Sequence, residues 1–140
     1  IHRYAQRFRR QVSQSPKKTG ALFEKAGYVS LLERVADYLA HTAHAVARKG
    51  FSGRVKLEVV RVMRMVMELF ESAMEAYRRR ERGKADAIIR AEEFLQKEIG
   101  RLMEKSMEIP DRFSRLSAEA TLIHMSEILR GVHQIAINLL

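Results

Sequence analysis

Two carboxylates and an imidazole at helical spacing are the residues of this sequence best placed for metal chemistry. Glu33, Asp37 and His41 follow one another at intervals of four residues. Side chains at this spacing lie one turn apart on the same face of a helix, so they could grip one cation. Acidic pairs of this kind are also common as solvated groups or as partners of Arg and Lys. The residues alone leave both interpretations open.

A dense basic cluster offers a second kind of chemistry, the binding of an acidic partner. The formal net charge of +9 points toward phosphate, nucleic acid or an acidic protein. Nucleic-acid modules usually add stacking aromatic side chains, and of these only Tyr77 lies beside the cluster. The alternative is a solvated end of a helical bundle. The cluster consists of Arg78, Arg79, Arg80, Arg82 and Lys84.

The sequence lacks the patterns that common catalytic sites need. It has no Cys, which excludes a thiol nucleophile, a disulfide and a thiolate metal site. It also has no Gly-rich phosphate loop, no Ser in a nucleophile elbow and no Glu-x-x-His pair of the kind that di-iron bundles use. We therefore predict that the chain is not an enzyme. The lack of Cys favours a cytoplasmic location.

Five helical segments are predicted to position these residues. Apolar side chains recur every three or four residues, and the 140 residues include only 7 Gly and 2 Pro. The segments cover about residues 1–12, 21–49, 55–80, 84–107 and 111–140. A loop at 13–20 follows the first segment, and Gly50, Gly83 and Pro110 mark the later breaks. Asp111 is the expected N-cap of the fifth segment.

Long helices joined by a few residues must fold back on one another, so the predicted fold is all-α, an up-and-down antiparallel helical bundle. No segment alternates with the period of a strand, and no apolar stretch is long enough to span a membrane. Since the chain opens at Ile1 inside a predicted helix, we expect it to be part of a longer protein. The predicted buried stripes are Leu32, Val35, Leu39, Thr42 and Val46; Val59, Val62, Val66, Leu69, Ala73 and Ala76; Ile88, Leu95, Ile99 and Leu102; and Leu122, Met125, Leu129, Val132, Ala136 and Leu139.

The second and fifth segments carry matching apolar positions, which indicates an internal repeat of three helices. Residues 1–50 would then be a truncated repeat, made of the end of helix two and helix three. Residues 51–140 would be one complete repeat, and both are expected to lie in one compact bundle. The matches are Leu32 with Met125, Ala36 with Leu129, Leu39 with Val132, Ala43 with Ala136 and Val46 with Leu139.

The run at residues 32–37, Leu-Glu-Arg-Val-Ala-Asp, resembles a signature of the PhoU family of phosphate-uptake regulators. In that family Leu-Glu-Arg-Ile-Gly/Ala-Asp lies on the third helix of each three-helix repeat. Residues 73–77 and the turn at 82–85 are similar to the family's helix one and first turn, and residues 85–95 resemble its helix-two pattern. In the family this signature usually continues with an Asn and an Ile-Ala pair. At the matching positions the present sequence has His41, Thr42 and Ala43, whereas residues 134–136 of the complete repeat match the continuation better.

The resemblance implies a non-catalytic regulator of phosphate uptake or phosphate-responsive signalling that contacts proteins through its helix faces. The implied partners are a phosphate-transporter ATPase or a sensor kinase, with a homodimer also expected. Nucleic acid would be bound only through an attached domain, such as the AbrB-type domain of archaeal members. Family members can also hold iron or zinc through Glu/Asp-x-x-x-Asp motifs on helices two and three. By resemblance, Glu33, Asp37 and His41 would supply half of such a metal site.

The complete repeat departs from this metal pattern. Ser126 and Arg130 occupy the positions that match the two carboxylates of the first repeat. Gln96 stands one turn after Glu92, where a second carboxylate is expected on helix two. Because a cationic guanidinium is a poor neighbour for a metal ion, we expect Arg130 to replace the ion and to pair with Glu92.

Two other functions stay open on the sequence. One is a carboxylate-bridged metal-binding bundle that stores or oxidises its metal. The other is the dimerisation or effector domain of a DNA-binding transcriptional regulator. Stoichiometric iron with oxidase activity would favour the first, and a strict monomer would argue against the second. His124 and His133 are interpreted as isolated structural residues.

Overall fold

The computed structural model describes residues 19–47 and 54–140. Four helices run through these residues, and no strand occurs among them, so the predicted all-α class is confirmed. The helices are α1 (Thr19–Ala47), α2 (Arg54–Arg78), α3 (Ala85–Ser106) and α4 (Arg112–Leu139), with a 3₁₀ turn at Arg82–Lys84. The predicted helix at 1–12 and the linker with Gly50 lie outside the described residues. No helix of the described part is long and apolar enough to cross a bilayer.

The helix ends agree with the sequence signals at two breaks and differ at one. The 3₁₀ turn contains Gly83, and α4 begins directly after Asp111. The Asp111 carboxylate accepts a hydrogen bond from the Ser114 backbone N–H at 2.9 Å, so the predicted N-cap is confirmed. Gly20, however, was expected in a loop and lies inside α1. A single Gly costs a helix only about 1 kcal/mol, which neighbouring residues can offset.

Packing divides the chain into two compact units, Ile1–Asp37 and Tyr38–Leu140. The boundary between these two units falls within α1, and the predicted division at residue 50 into a truncated and a complete repeat stays a prediction. Helices α2, α3 and α4 all pack against one another in the second unit. The proposed repeat of three helices stays a prediction.

The three helices of the second unit run up and down. Lys105, near the end of α3, donates a hydrogen bond to Glu58, near the start of α2, at 3.1 Å. Gln96 of α3 likewise forms a hydrogen bond with Ser126 of α4. Glu92 lies one turn before Gln96 on α3, and its neighbour His133 lies two turns after Ser126 on α4. Both pairs of neighbours are therefore antiparallel, which short connections require.

Apolar stripes at helical spacing form the core of the second unit, as predicted. In α2 the predicted stripe is buried except for half-buried Leu69, and in α3 and α4 every predicted position is buried. The buried hydroxyls of Ser106 and Thr121 donate to the backbone carbonyls of Met103 and Ser117, at 2.7 and 2.9 Å. These bonds remove the cost of burying the two hydroxyls.

Helix α1 follows its predicted stripe only in part. Val35 is buried, but Leu32 and Leu39 are half-exposed, and Val29 and Leu31 are buried instead. The sequence of α1 is apolar on more than one side, so its periodicity does not single out one buried face. Thr42 and Val46 have side chains outside the described set.

Candidate functional site

The structure places Glu33, Asp37 and His41 on successive turns of α1. Glu33 is half-buried, whereas Asp37 and His41 are exposed. Among the residues that the structure describes, no group of three or more His, Cys, Asp or Glu side chains could hold a metal ion. A metal at these residues would need further ligands from elsewhere, so this site stays a prediction.

A polar seam joins α3 to α4 at the positions that the sequence singled out. We use the name polar seam for Glu92, Gln96, Ser126 and His133. The Ser126 hydroxyl donates to Gln96 Oε1 at 2.8 Å, and Gln96 Nε2 donates back to the Ser126 carbonyl at 3.2 Å. One turn away, Glu92 Oε2 lies 3.4 Å from His133 Nδ1. Glu92 is only 6% exposed, so this carboxylate is held inside the helix interface.

The donor set of the polar seam does not fit an iron or zinc cluster. The amide of Gln96 and the hydroxyl of Ser126 already satisfy each other. One carboxylate and one imidazole remain, whereas metal sites in helical bundles draw several carboxylates or His from facing helices. The polar seam is therefore a hydrogen-bonded contact between two helices.

The predicted ion pair between Glu92 and Arg130 is wrong. The Arg130 guanidinium donates to Glu127 at 2.8 Å, and its side chain is 71% exposed. Arg130 and Glu127 are three residues apart on α4, where a pair forms without any tertiary contact. Glu92 instead faces His133, three residues further along α4 than Arg130. The sequence spacing identified the correct two helices but the wrong residue of α4 as the partner of Glu92.

An imidazole stack in the second unit is a feature that sequence reasoning missed. The ring of His124 on α4 lies 5.4 Å from the ring of His41 and 5.7 Å from the ring of Tyr38, both on α1. The Nδ1 atom of His124 is buried and has no hydrogen-bond partner. Burial, and secondarily the charge of His41, lower the pKa of His124. Nothing in the spacing of the sequence joins positions so far apart.

The basic cluster is partly neutralised by its own acidic neighbours. Arg78 and Arg79 both pair with Glu75, and Lys84 pairs with Glu81. The hydrogen bond from Arg78 lowers the pKa of the Glu75 carboxyl. In the described part of the chain, Arg80 and Arg82 form no ion pair, so they carry the uncompensated charge of the cluster.

The backbone at Arg80 closes α2 in a Schellman motif. Arg80 has a φ of 53°, in the left-handed region that usually belongs to glycine. The Glu81 N–H donates to the Ala76 carbonyl at 2.9 Å, and the Arg80 N–H donates to the Tyr77 carbonyl at 3.2 Å. Both bonds satisfy carbonyls that a helix end would otherwise leave free. The chain therefore turns sharply and presents Arg80 at the end of the bundle.

An open groove lies beside this turn, between α2 and α3. Charged groups of both signs line it together with apolar side chains. The lining residues are Leu69, Glu71, Ser72, Glu75, Lys84, Ala87 and Ile88.

The fold and these sites define a helical-bundle protein whose polar contacts hold helices together. Comparison with protein-family models, with curated proteins and with solved structures found no match. The resemblance to the PhoU family therefore depends on the motifs quoted above.

Proposed function

We propose that the chain is a non-catalytic regulatory module of phosphate uptake or phosphate-responsive signalling, of the PhoU type, acting in the cytoplasm. It works through protein–protein contacts on its helix faces. The proposal is supported by the signature-like run at residues 32–37 and by the helical-bundle fold.

The observation that carries the proposal is the contact of Gln96 with Ser126. The resemblance matches these two residues to metal-motif positions on helices two and three of a repeat. Such positions must face each other across two helices, and Gln96 and Ser126 do so, 2.8 Å apart. A hydrogen bond here holds together two helices that a metal would otherwise join, and the outer helix faces are left for recognition.

The surface best suited to a partner is the turn after α2. Arg80 and Arg82 are exposed and form no ion pair among the described residues. An acidic surface on a phosphate-transporter ATPase or a sensor kinase would complement them. Unpaired charges at such a rim act mainly on the association rate and on partner selection.

The proposal is tested by measuring phosphate uptake in host cells that lack the protein and in cells that regain it. We expect uptake at high external phosphate to rise on deletion and to fall again on complementation. The double variant Arg80→Glu/Arg82→Glu should fail to complement. The matched control Arg90→Glu/Lys97→Glu changes the same charge on exposed residues of α3 and should complement fully. Unchanged uptake after deletion would contradict the proposal.

A further inference from the structure

Large apolar side chains gather at one end of the second unit. Among the described residues, four of the eight that are exposed lie where α2 begins, α3 ends and α4 begins. They are Leu57, Met107, Phe113 and Leu116, with 73%, 68%, 60% and 51% of their surface exposed. We call residues 54–58 and 104–116 the apolar end. It is a small part of the described chain but holds half of these side chains.

Contacts between the helices show that these segments meet at the same end. Lys105, near the end of α3, donates to Glu58 of α2 at 3.1 Å. Arg115 of α4 donates to the carbonyl of Ile109, in the connection after α3, at 3.4 Å. The basic cluster at residues 78–84 lies after the other end of α2, and the open groove lies beside it. The second unit therefore has a basic end and, opposite to it, an apolar end.

The helices that begin at the apolar end begin with basic residues. The first turns of α2 and α4 contain no acidic residue, although helix N-termini favour them. Arg54, Lys56 and Arg112 occupy these turns and form no ion pair within the described part of the chain. Glu58 is paired with Lys105, and Asp111 caps α4. The other acidic residues of the apolar end are Glu104 and Glu108.

We propose that the apolar end inserts shallowly into the surface of a membrane that contains anionic lipids. Exposed Phe, Leu and Met side chains gain free energy when they leave water for the lipid interface, and they need no shaped pocket there. Basic side chains beside them can reach lipid phosphates while their stems stay in the interface. The net charge of +9 attracts the chain to an anionic surface. The apolar side chains then decide which end enters.

This orientation leaves the basic end of the second unit accessible. Helix α2 has 25 residues, so its two ends lie about 37 Å apart. Arg80 and Arg82 would therefore stay in water while the apolar end is inserted. Because charged residues lie within one turn of the apolar ones, insertion beyond the headgroup region is costly. The proposal does not depend on the regulatory function.

Binding is tested by co-sedimentation of the whole chain with phosphatidylcholine vesicles that contain about 30% phosphatidylserine or none. We expect binding to the anionic vesicles to be at least about tenfold stronger. Phe113→Ser/Leu116→Ser should weaken this binding at least about tenfold. The matched control Ile123→Ser/Ile137→Ser replaces exposed apolar residues farther along α4 and should bind as the parent does. Neither variant changes the net charge, and circular dichroism checks that each keeps its helix content.

Tryptophan probes test the orientation without removing apolar surface. The chain has no Trp, so a single introduced Trp reports its own surroundings. Emission of Phe113→Trp should shift to shorter wavelength on anionic vesicles and be quenched by brominated acyl chains. Phe94→Trp, at a position 55% exposed in the middle of α3, should show neither effect. A parent that does not bind, equal losses in the two serine variants, or equal shifts at the two Trp positions would overturn the proposal.

Discussion

The imidazole of His124 lies in an environment that disfavours its charged form. It is packed against the rings of Tyr38 and His41, and its buried Nδ1 has no acceptor. Protonation would place a cation beside a second imidazole and away from water. Protonation of His124 would therefore weaken the contact between α4 and the part of α1 that belongs to the second unit.

Acidification should therefore weaken the fold through His124. Its pKa is lowered in the folded state, so the unfolded chain binds more protons below its ordinary value of about 6.5. The contribution of neutral His124 to the stability of the fold is complete above that pH and is lost as the pH falls through the folded-state pKa. We expect the unfolding free energy, measured by urea titration, to fall less in His124→Gln than in the parent chain when the pH is lowered from about 8 to about 5. The exposed control His44→Gln should keep the parent's dependence; identical slopes in all three proteins would refute this role.

Replacing Arg80 by glycine should stabilise the chain. A side chain at positive φ is strained, and glycine at the C′ position of a Schellman motif removes that strain. We expect Arg80→Gly to raise the unfolding free energy by about 1 kcal/mol. Arg90→Gly removes the same charge from the middle of α3 and should lower it by about 1 kcal/mol. A loss of stability in Arg80→Gly would show that the arginine side chain is needed at the turn.

At the level of the helices, short polar signals set where each element begins. Pro110 cannot continue α3, and Asp111 then caps α4 through both the backbone N–H and the hydroxyl of Ser114, at 2.9 and 2.6 Å. These bonds lower the pKa of the Asp111 carboxyl. The start of α4 is thus fixed by residues that could be recognised in the sequence.

Removal of this cap should destabilise α4. We expect Asp111→Ala to lower the unfolding free energy by about 1 kcal/mol, because two donors lose their acceptor. Asp111→Asn should keep most of the stability, since its side-chain oxygen can still accept. The control Asp86→Ala changes an exposed carboxylate in the first turn of α3 that makes no capping bond. Thermal unfolding would measure all three, and an equal loss in Asp86→Ala would refute the capping role.

For the whole molecule, α4 carries the largest part of the described core. It packs against α2 and α3, and Leu122, Leu129 and Val132 have no exposed surface. Leu129→Ala should lower the unfolding free energy by about 2–5 kcal/mol, since it leaves a cavity. Leu116, on the same helix, is 51% exposed, and Leu116→Ala should change stability by less than about 1 kcal/mol. Denaturant titration distinguishes the two, and a similar loss in both would argue against this core.

The sequence predicts the class of fold and most of the core of the second unit, because helical periodicity alone decides which side of α2, α3 and α4 is buried. It does not predict which residues meet across helices. Arg130 and His133 are both on α4, but only the crossing of α3 and α4 decides which one reaches Glu92. The contact between His41 and His124 is missed for the same reason. In α1 the period itself is ambiguous, so Leu32 and Leu39 are more exposed than predicted.

The double hydrogen bond between Gln96 and Ser126 has a mechanical consequence. Axial slip of α4 along α3 by one turn, about 5.4 Å, would carry the hydroxyl away and leave a part-buried amide without partners, at a cost of about 1–3 kcal/mol. The two helices therefore resist the ratchet movements through which many bundles switch state. The Gln96–Ser126 pair thus opposes a change of register between α3 and α4.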